Sequence, residues 1–407
     1  MTLGVSFVLA ILGVATFVGP LIGERLQVPG AVIEILLGFA LSFVLPHADY
    51  ATNGIVATLG SLGFLILMFL VGVEFDLAEI RGASRSASLM GIVLLSISFL
   101  VSWLLLGRLA GASSMWVLAG AATSVGVTVP VLHVRGWMGA RFARDVLMVG
   151  AVAEIGYLVA LNVLSVASRH DSAMTAILLG TRALAFIGFS LFVVFLIRRL
   201  RVKAPRHFHR WFLRDDPLEV GLRGTFALLF VVVASCGLLH IPNVLGAVLA
   251  GVIFRSVIGH AKAIVERVTS VANAFLIPLF FLDVGLQTPL RSDVEGLAPV
   301  AALVLLVLSV PRLVVVPYLR RRGNSWRVSF AGAASLMAPL TLLVTTAQIG
   351  KADGFIGPRN YTAIILVAVV SAIIFPSVAR GLLPHRRDEG SREDRKSPAP
   401  TRRLEAN

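Results

Sequence analysis

The 407-residue sequence contains few charged residues and almost no cysteine, and each shortage excludes a class of protein. Only 14% of the residues are charged, against about 25% in soluble domains, whereas 57% are hydrophobic. This composition indicates a polytopic membrane protein rather than a soluble domain. Cys236 is the single cysteine, so no intrachain disulfide can form and cysteine usage does not indicate a redox compartment.

The sequence also lacks the common motifs of enzymes. It shows no recognisable nucleophile motif, metal-ligand cluster or phosphate-binding glycine loop, so we expect neither an enzyme nor a bound cofactor. The net charge of +14 would suit a nucleic-acid partner. The basic residues, however, fall almost entirely between apolar segments, which indicates membrane topology and no nucleic-acid partner.

The dominant feature of the chain is a series of thirteen apolar segments. About 20 helical residues cross a bilayer core of about 30 Å, and most segments approach or exceed that length. We therefore predict an all-α polytopic membrane protein with about thirteen transmembrane helices. The segments lie at 3–22, 29–46, 53–73, 86–107, 114–134, 143–166, 175–198, 219–238, 242–258, 265–287, 294–318, 327–349 and 359–382.

The basic residues are distributed unequally between the two sides of the predicted membrane. One set of alternate connections holds only Arg108, Arg169, Arg291, Lys351 and Arg359. Nearly all the others lie in the opposite connections and in the tail. Positive residues accumulate on the cytoplasmic side, so we predict a cell-membrane protein with its N-terminus outside and its C-terminus in the cytoplasm. The charged tail, residues 383–407, is predicted to be disordered.

A faint internal repeat runs through the chain. Residues 28–38 resemble residues 241–251, and residues 64–72 resemble residues 275–285. The second copy lies seven spans after the first, and because seven is odd the two copies face opposite ways. Inverted-topology repeats are typical of secondary transporters. The transporter domain, residues 1–382, is thus predicted to comprise a repeat at about 3–166, a linking span at 175–198 and a repeat at about 219–382.

Two segments at corresponding places in the repeats are interrupted by small, hydroxyl-bearing and proline residues. These are residues 120–130 (GAATSVGVTVP) and residues 335–341 (SLMAPLT). Non-helical backbone at membrane depth is tolerated where it lines a protein cavity, and oxygen atoms there suit alkali cations. We therefore regard Thr123, Ser124 and Thr128 as candidate cation ligands. A tightly packed interface of small residues is the alternative interpretation.

One ionisable residue, Glu154, lies in the middle of the apolar stretch 146–166. A charged side chain at that depth is costly unless it faces water or a partner, so Glu154 is a candidate binding site for a proton and a cation. Bracing a neighbouring helix is the alternative role.

Three of the other charged residues within the predicted spans bear on the site. Arg312 requires an anionic partner, and Glu154 is the nearest acidic residue by depth. Asp283 is interpreted as a second relay group or as a partner for Arg182. Glu34, near the end of a span, is expected to extend towards the membrane surface.

The motifs taken together resemble those of the monovalent cation/proton antiporters, in the branch of bacterial sodium/proton and potassium/proton exchangers. The resemblance covers most of residues 1–382, in the order of the family. It rests on residues 19–26 with 29–38 (GPLIGERL and PGAVIEILLG), 67–76 (LMFLVGVEFD), 123–132 (TSVGVTVPVL), 245–251 (LGAVLAG) and 278–286 (PLFFLDVGL).

This resemblance implies a homodimeric transporter that exchanges Na⁺ or K⁺ for protons by alternating access. It also implies two crossing, interrupted helices and a cation- and proton-binding pair on the following span, which is Ala153-Glu154 in this chain. The first polar member of that pair is replaced by alanine, so a single carboxylate remains and we predict electroneutral exchange. Arg312 lies where the family carries a basic residue. A gated cation efflux pathway or a transport-silent sensor is the alternative function.

Overall fold

The computed structural model describes residues 5–44, 54–74, 85–109, 114–167, 219–239, 243–258, 262–288 and 298–385, with isolated positions at 188, 195 and 199. Apart from positions 188 and 195, the predicted linking span 175–198 lies outside the described residues, as does most of the predicted tail. The described part of the chain is helical and contains no strand. This agrees with the requirement that backbone groups in hydrocarbon bond within their own segment.

The helices of the first half follow the predicted apolar segments to within a few residues. A π-helical turn, Trp103–Leu109, extends the fourth helix. The helices are α1 Val5–Leu26, α2 Gly30–Val44, α3 Ile55–Glu74, α4 Arg85–Ser102, α5 Ser114–Ala121, α6 Thr128–Val134 and α7 Arg141–Ala167.

The helices of the second half do the same, with a π-helical turn at Ala272–Leu276 and a 3-10 turn at Val310–Val314. They are α8 Val220–Leu238, α9 Asn243–Ile258, α10 Lys262–Val271, α11 Ile277–Leu286, α12 Ala298–Ser309, α13 Val315–Arg321, α14 Trp326–Ser335, α15 Leu340–Ala352 and α16 Pro358–Leu382. Eight helical segments of the described residues are long and apolar enough to cross a membrane.

The main helix contacts define two groups. In the first group, α2 packs against α11, α3 packs against both α9 and α11, and α8 packs against α9. In the second group, α4 packs against α5 and α7, and α16 packs against α12, α14 and α15. The candidate site residues Glu154 and Arg312 belong to the second group, and one wall of the cavity described below is contributed by the first.

Both predicted interruptions are present. The helix ends at Ala121 and resumes at Thr128, and a second break separates Ser335 from Leu340. Helix α5 contacts α15 and α6 contacts α14, so the two interrupted segments cross at their breaks. The Thr128 hydroxyl donates to the Ser335 carbonyl over 3.0 Å and joins the two breaks directly.

Polar contacts identify the two ends of the bundle. At one end, Arg380 donates to the Gln27 carbonyl, and Asp145 accepts from Arg322 Nε at 3.0 Å. The hydrogen bond and charge of Asp145 raise the pKa of Arg322 above its ordinary value. At the other end, Lys351 donates to Gln287 Oε1 over 2.8 Å. Gln27 and Arg322 fall in connections that the charge pattern assigns to one side of the membrane, and Lys351 falls in a connection assigned to the other.

Candidate functional site

The carboxylate of Glu154 on α7 is bound by the first break. The Ser124 hydroxyl donates to one carboxylate oxygen and the Val125 backbone N–H donates to the other, both over 2.9 Å. The Gly126 N–H in turn donates to the Ser124 hydroxyl over 3.2 Å. Glu154 is only 4% exposed, so these hydrogen bonds replace much of the hydration that burial removes.

This geometry suits exchange between a proton and a cation. The deprotonated carboxylate has further acceptor capacity beyond these two hydrogen bonds. Either a proton or a monovalent cation can bind to the remaining lone pairs of the carboxylate oxygens. Such hard oxygen ligands match an alkali cation. Because both occupants neutralise the same carboxylate, they compete.

Arg312, in the 3-10 turn, is fully buried and binds the end of α5. Its Nη1 donates to the Gly120 carbonyl over 3.2 Å, and its Nη2 donates to the Ala121 carbonyl over 3.1 Å and also to the Ala122 carbonyl. The break has left these carbonyls without helical partners, and a cation is favoured at a helix C-terminus. The guanidinium therefore stabilises the unwound segment.

The expected ion pair between Arg312 and Glu154 is not formed among the described residues. Depth in the membrane was the basis of that expectation, and depth does not specify the face of the helix on which a residue lies. The carbonyls exposed by the break instead accept hydrogen bonds from the two terminal nitrogens of the Arg312 guanidinium. Its Nε is buried without a hydrogen-bond partner in the described structure.

The three hydroxyls predicted to bind a cation have different partners. Only Ser124 contacts Glu154 in the hydrogen bonds described. Thr123 Oγ1 accepts from Arg312 Nη2 over 2.8 Å, and Thr128 donates across to the second break. In this conformation Thr123 and Thr128 brace the two breaks.

Asp283 on α11 lies in a separate cluster. It is 6% exposed and accepts from Gln287 Nε2 over 2.6 Å. Gln287 accepts from Lys351, whose Nζ lies 4.7 Å from the centroid of the Tyr361 ring. Its suggested partner Arg182 lies outside the described residues.

A cavity of about 380 Å³ lies beside the first break. It reaches from the start of α2 to Ser124 and is bounded by parts of both interrupted segments and of the α10–α11 helix. Ser124 therefore contacts both the cavity and Glu154. The lining residues are Pro29, Gly30, Ala31, Glu34, Ser124, Gly126, Val127, Asn273, Ile277, Pro278, Phe281, Ala338, Leu340 and Thr341.

Sequence reasoning missed two residues near the site. Glu34 was expected to extend to the membrane surface, but it is 4% exposed and lines the cavity. Tyr157 is fully buried one turn after Glu154, and its hydroxyl shares a hydrogen bond with Thr346 on α15. The sequence signal that could have indicated Tyr157 is its position three residues after Glu154, which places both residues on the same helix face.

A family model described as "Sodium/hydrogen exchanger, transmembrane" matches residues 13–383. The chain belongs to the sodium/hydrogen exchanger family. A solved structure of the sodium proton antiporter MjNhaP1 from Methanocaldococcus jannaschii has the same fold. It matches with a TM-score of 0.62 and 17% identity, over 93% of this chain and 98% of that one.

Relatives of known name support this membership in the exchanger family. The Bacillus subtilis protein YjbQ, named as a candidate Na(+)/H(+) antiporter, is 28% identical over 95% of this chain. This chain spans 64% of the length of YjbQ. The Na(+)/H(+)-K(+) antiporter GerN of Bacillus cereus is 22% identical, over 92% of this chain and 95% of GerN.

Ala153, the other member of the pair implied by the exchanger family, is fully buried in an apolar cluster with Leu94, Val149 and Leu336. Its methyl group offers no ligand to a cation or proton. Glu154 is thus the only acidic residue of that pair.

Proposed function

We propose that this exchanger-family protein exchanges Na⁺ or K⁺ for protons across the cell membrane by alternating access, with Glu154 as the shared binding site. The observation that carries the proposal is the position of Glu154: a buried carboxylate bound by Ser124 and Val125 at a helix break, with Ser124 lining a cavity. The family match and the named antiporters among the relatives agree with it.

The mechanism follows from competition at one carboxylate. When Glu154 is deprotonated, a cation loses part of its water and binds the carboxylate with oxygen atoms of the break. When Glu154 is protonated, the cation leaves. The two ions are exchanged only if the protein does not change from its outward-open to its inward-open state while Glu154 is empty and charged. That change is strongly disfavoured because it would bury an uncompensated charge.

We further propose that the two halves of the chain are inverted repeats. Four glycines support this arrangement. A Cβ at Gly38 would collide with the Leu282 carbonyl, and a Cβ at Gly285 would collide with the Ile35 carbonyl. Gly72 and Gly251 make the corresponding close approach, to the carbonyls of Val248 and Phe69 respectively.

These contacts are reciprocal. Gly38 corresponds to Gly251, and Gly72 to Gly285, when the sequence repeats are superposed. One close contact therefore pairs Gly38 with Gly285, and the other pairs Gly72 with Gly251. A pseudo-two-fold axis between the repeats would relate these two contacts to each other. We also propose that the chain crosses the membrane thirteen times, forms a homodimer and has its N-terminus outside the cell.

The test is a dye-monitored proton flux measurement in everted membrane vesicles that contain the full chain. Addition of Na⁺, K⁺ or Li⁺ to vesicles with an acidic lumen should release protons, with half-saturation specific to the transported ion. Vesicles without the protein are the control. No cation-dependent proton movement with any of the three ions would contradict exchange.

The alternative, a gated cation pathway or a transport-silent sensor, rests on the missing polar residue at Ala153. It predicts either cation movement without proton movement or neither. Measuring cation uptake in the same vesicles separates these results from exchange.

A further inference from the structure

The cavity contains a second acidic residue that the mechanism above does not use. Glu34 on α2 is 4% exposed and lines the same cavity as Ser124. Among the described residues, Glu34 forms no salt bridge and accepts no hydrogen bond. A buried, charged carboxylate without a partner costs several kcal/mol, which a bound proton or a cation in the cavity offsets.

The residues around Glu34 leave space for its side chain. A Cβ at Gly19 on α1 would lie 3.1 Å from Glu34 Cγ, so glycine there accommodates the side chain. The cavity also contains Pro29 and Gly30, close to the end of the bundle where Gln27 meets Arg380. Glu34 lies one helical turn after Gly30 on α2, in the same cavity that Ser124 lines.

Another polar group of the cavity lies at an irregular point of its helix. Asn273 lies in the π-helical turn Ala272–Leu276 between α10 and α11. Single π-helical turns occur frequently at functional sites. The Asn273 amide oxygen and the Glu34 carboxylate are both oxygen donors of the kind that bind hard cations.

We propose that Glu34 is a second cation-binding carboxylate, which binds the monovalent cation in the cavity before the cation reaches Glu154. This inference rests on the proposed function. A cavity with low-dielectric walls and one sign of charge raises the local concentration of the counter-ion by about tenfold or more. Glu34 therefore increases the apparent affinity for the cation, whereas Glu154 couples the cation to the proton.

The experiment compares Glu34→Gln with wild type in the vesicle assay, over a cation titration at fixed pH. Glutamine has nearly the same shape and removes the charge. The half-saturating cation concentration should rise about tenfold, with the maximal rate within about twofold of wild type. Glu34→Asp retains the charge and should stay within about threefold of wild type. Glu24→Gln removes an exposed carboxylate near the end of α1 and should match wild type.

Two results would overturn the inference: a half-saturating concentration in Glu34→Gln that equals that of wild type, or a loss of maximal rate without a change in half-saturation. If wild type moves no protons, the proposed function fails separately. Binding of radioactive sodium or rubidium to the purified full chain then decides. Tenfold weaker binding in Glu34→Gln would support the inference, whereas equal binding, or none in either protein, would overturn it.

Discussion

At the scale of single residues, the three hydroxyls near the first break have different hydrogen-bond partners. Ser124 is bonded to Glu154, whereas Thr123 is bonded to Arg312. A hydrogen bond to a charged group contributes about 1.5–3 kcal/mol. Loss of the Ser124 bond should weaken the site, and loss of the Thr123 bond should weaken the fold.

We predict that Ser124→Ala raises the half-saturating cation concentration by about three- to tenfold, because the carboxylate loses a donor and the cation an oxygen ligand. Cation titration of proton flux measures this change. Ser98→Ala is the matched control, since Ser98 is fully buried but bonds only to the Leu94 carbonyl of its own helix. Thr123→Val should instead lower the unfolding temperature of the purified protein. An affinity loss confined to Thr123→Val would reverse the assignment.

Residue type and depth in the sequence led us to predict Glu154 and the hydroxyls as site residues, but they could not predict the partners of these residues. Arg312 shows why. Its depth agreed with that of Glu154, yet the carbonyls of Gly120, Ala121 and Ala122 are its acceptors. Glu34 was misplaced for a related reason, because closeness to a span end does not show whether a side chain faces lipid or a cavity.

At the scale of helices, the close approaches of α2 to α11 and of α3 to α9 depend on glycine. Gly251→Ala should force α3 and α9 apart, because the added Cβ would meet the Phe69 carbonyl and, at 2.7 Å, the Val73 backbone nitrogen. Overpacking of this kind costs about 1–3 kcal/mol. Thermal unfolding in detergent should show a clearly lower midpoint.

Gly13→Ala is the matched control for this prediction. Gly13 also lies in a helix, but a Cβ there would meet nothing within 4 Å, and alanine favours helix by about 1 kcal/mol. The unfolding temperature of Gly13→Ala should equal or slightly exceed that of wild type. If Gly251→Ala were as stable as Gly13→Ala, the close packing of α3 on α9 would be wrong.

The breaks within helices were predictable from sequence, because glycine, proline and hydroxyl residues cluster where the chain unwinds. The crossing of the two breaks was implied only by the family resemblance. It depends on contacts distant in sequence, such as that between Thr128 and Ser335, and local pattern carries no information on such contacts.

At the scale of the whole molecule, one carboxylate at the binding position predicts electroneutral exchange. The same carboxylate carries either one cation or one proton, so each half-cycle moves the same charge. Arg312 is a fixed counter-charge, because a guanidinium retains its proton in proteins. With Na⁺ as test ion and the voltage set by valinomycin and potassium, reconstituted protein should transport at a rate independent of the imposed potential.

A voltage-dependent rate would contradict this prediction and indicate a second titrating carboxylate. Asp145 is buried but pairs with Arg322. Asp283 and Glu34 are therefore the candidates that we would test. If the voltage dependence disappeared in Asp283→Asn, the cluster with Gln287 and Lys351 would take part in transport. If it disappeared in Glu34→Gln, the cavity carboxylate would carry a proton as well as bind the cation.

The central claim, that a proton and a cation compete for Glu154, is tested most directly by measuring the half-saturating cation concentration as a function of pH in wild type and in Glu154→Gln. Competition for one site predicts that this concentration rises about tenfold for each pH unit of acidification, once the carboxyl is mostly protonated. Glu154→Gln should be inserted in the membrane in normal amounts and should show no cation-driven proton movement. A half-saturating concentration independent of pH, or exchange retained in Glu154→Gln, would contradict the account.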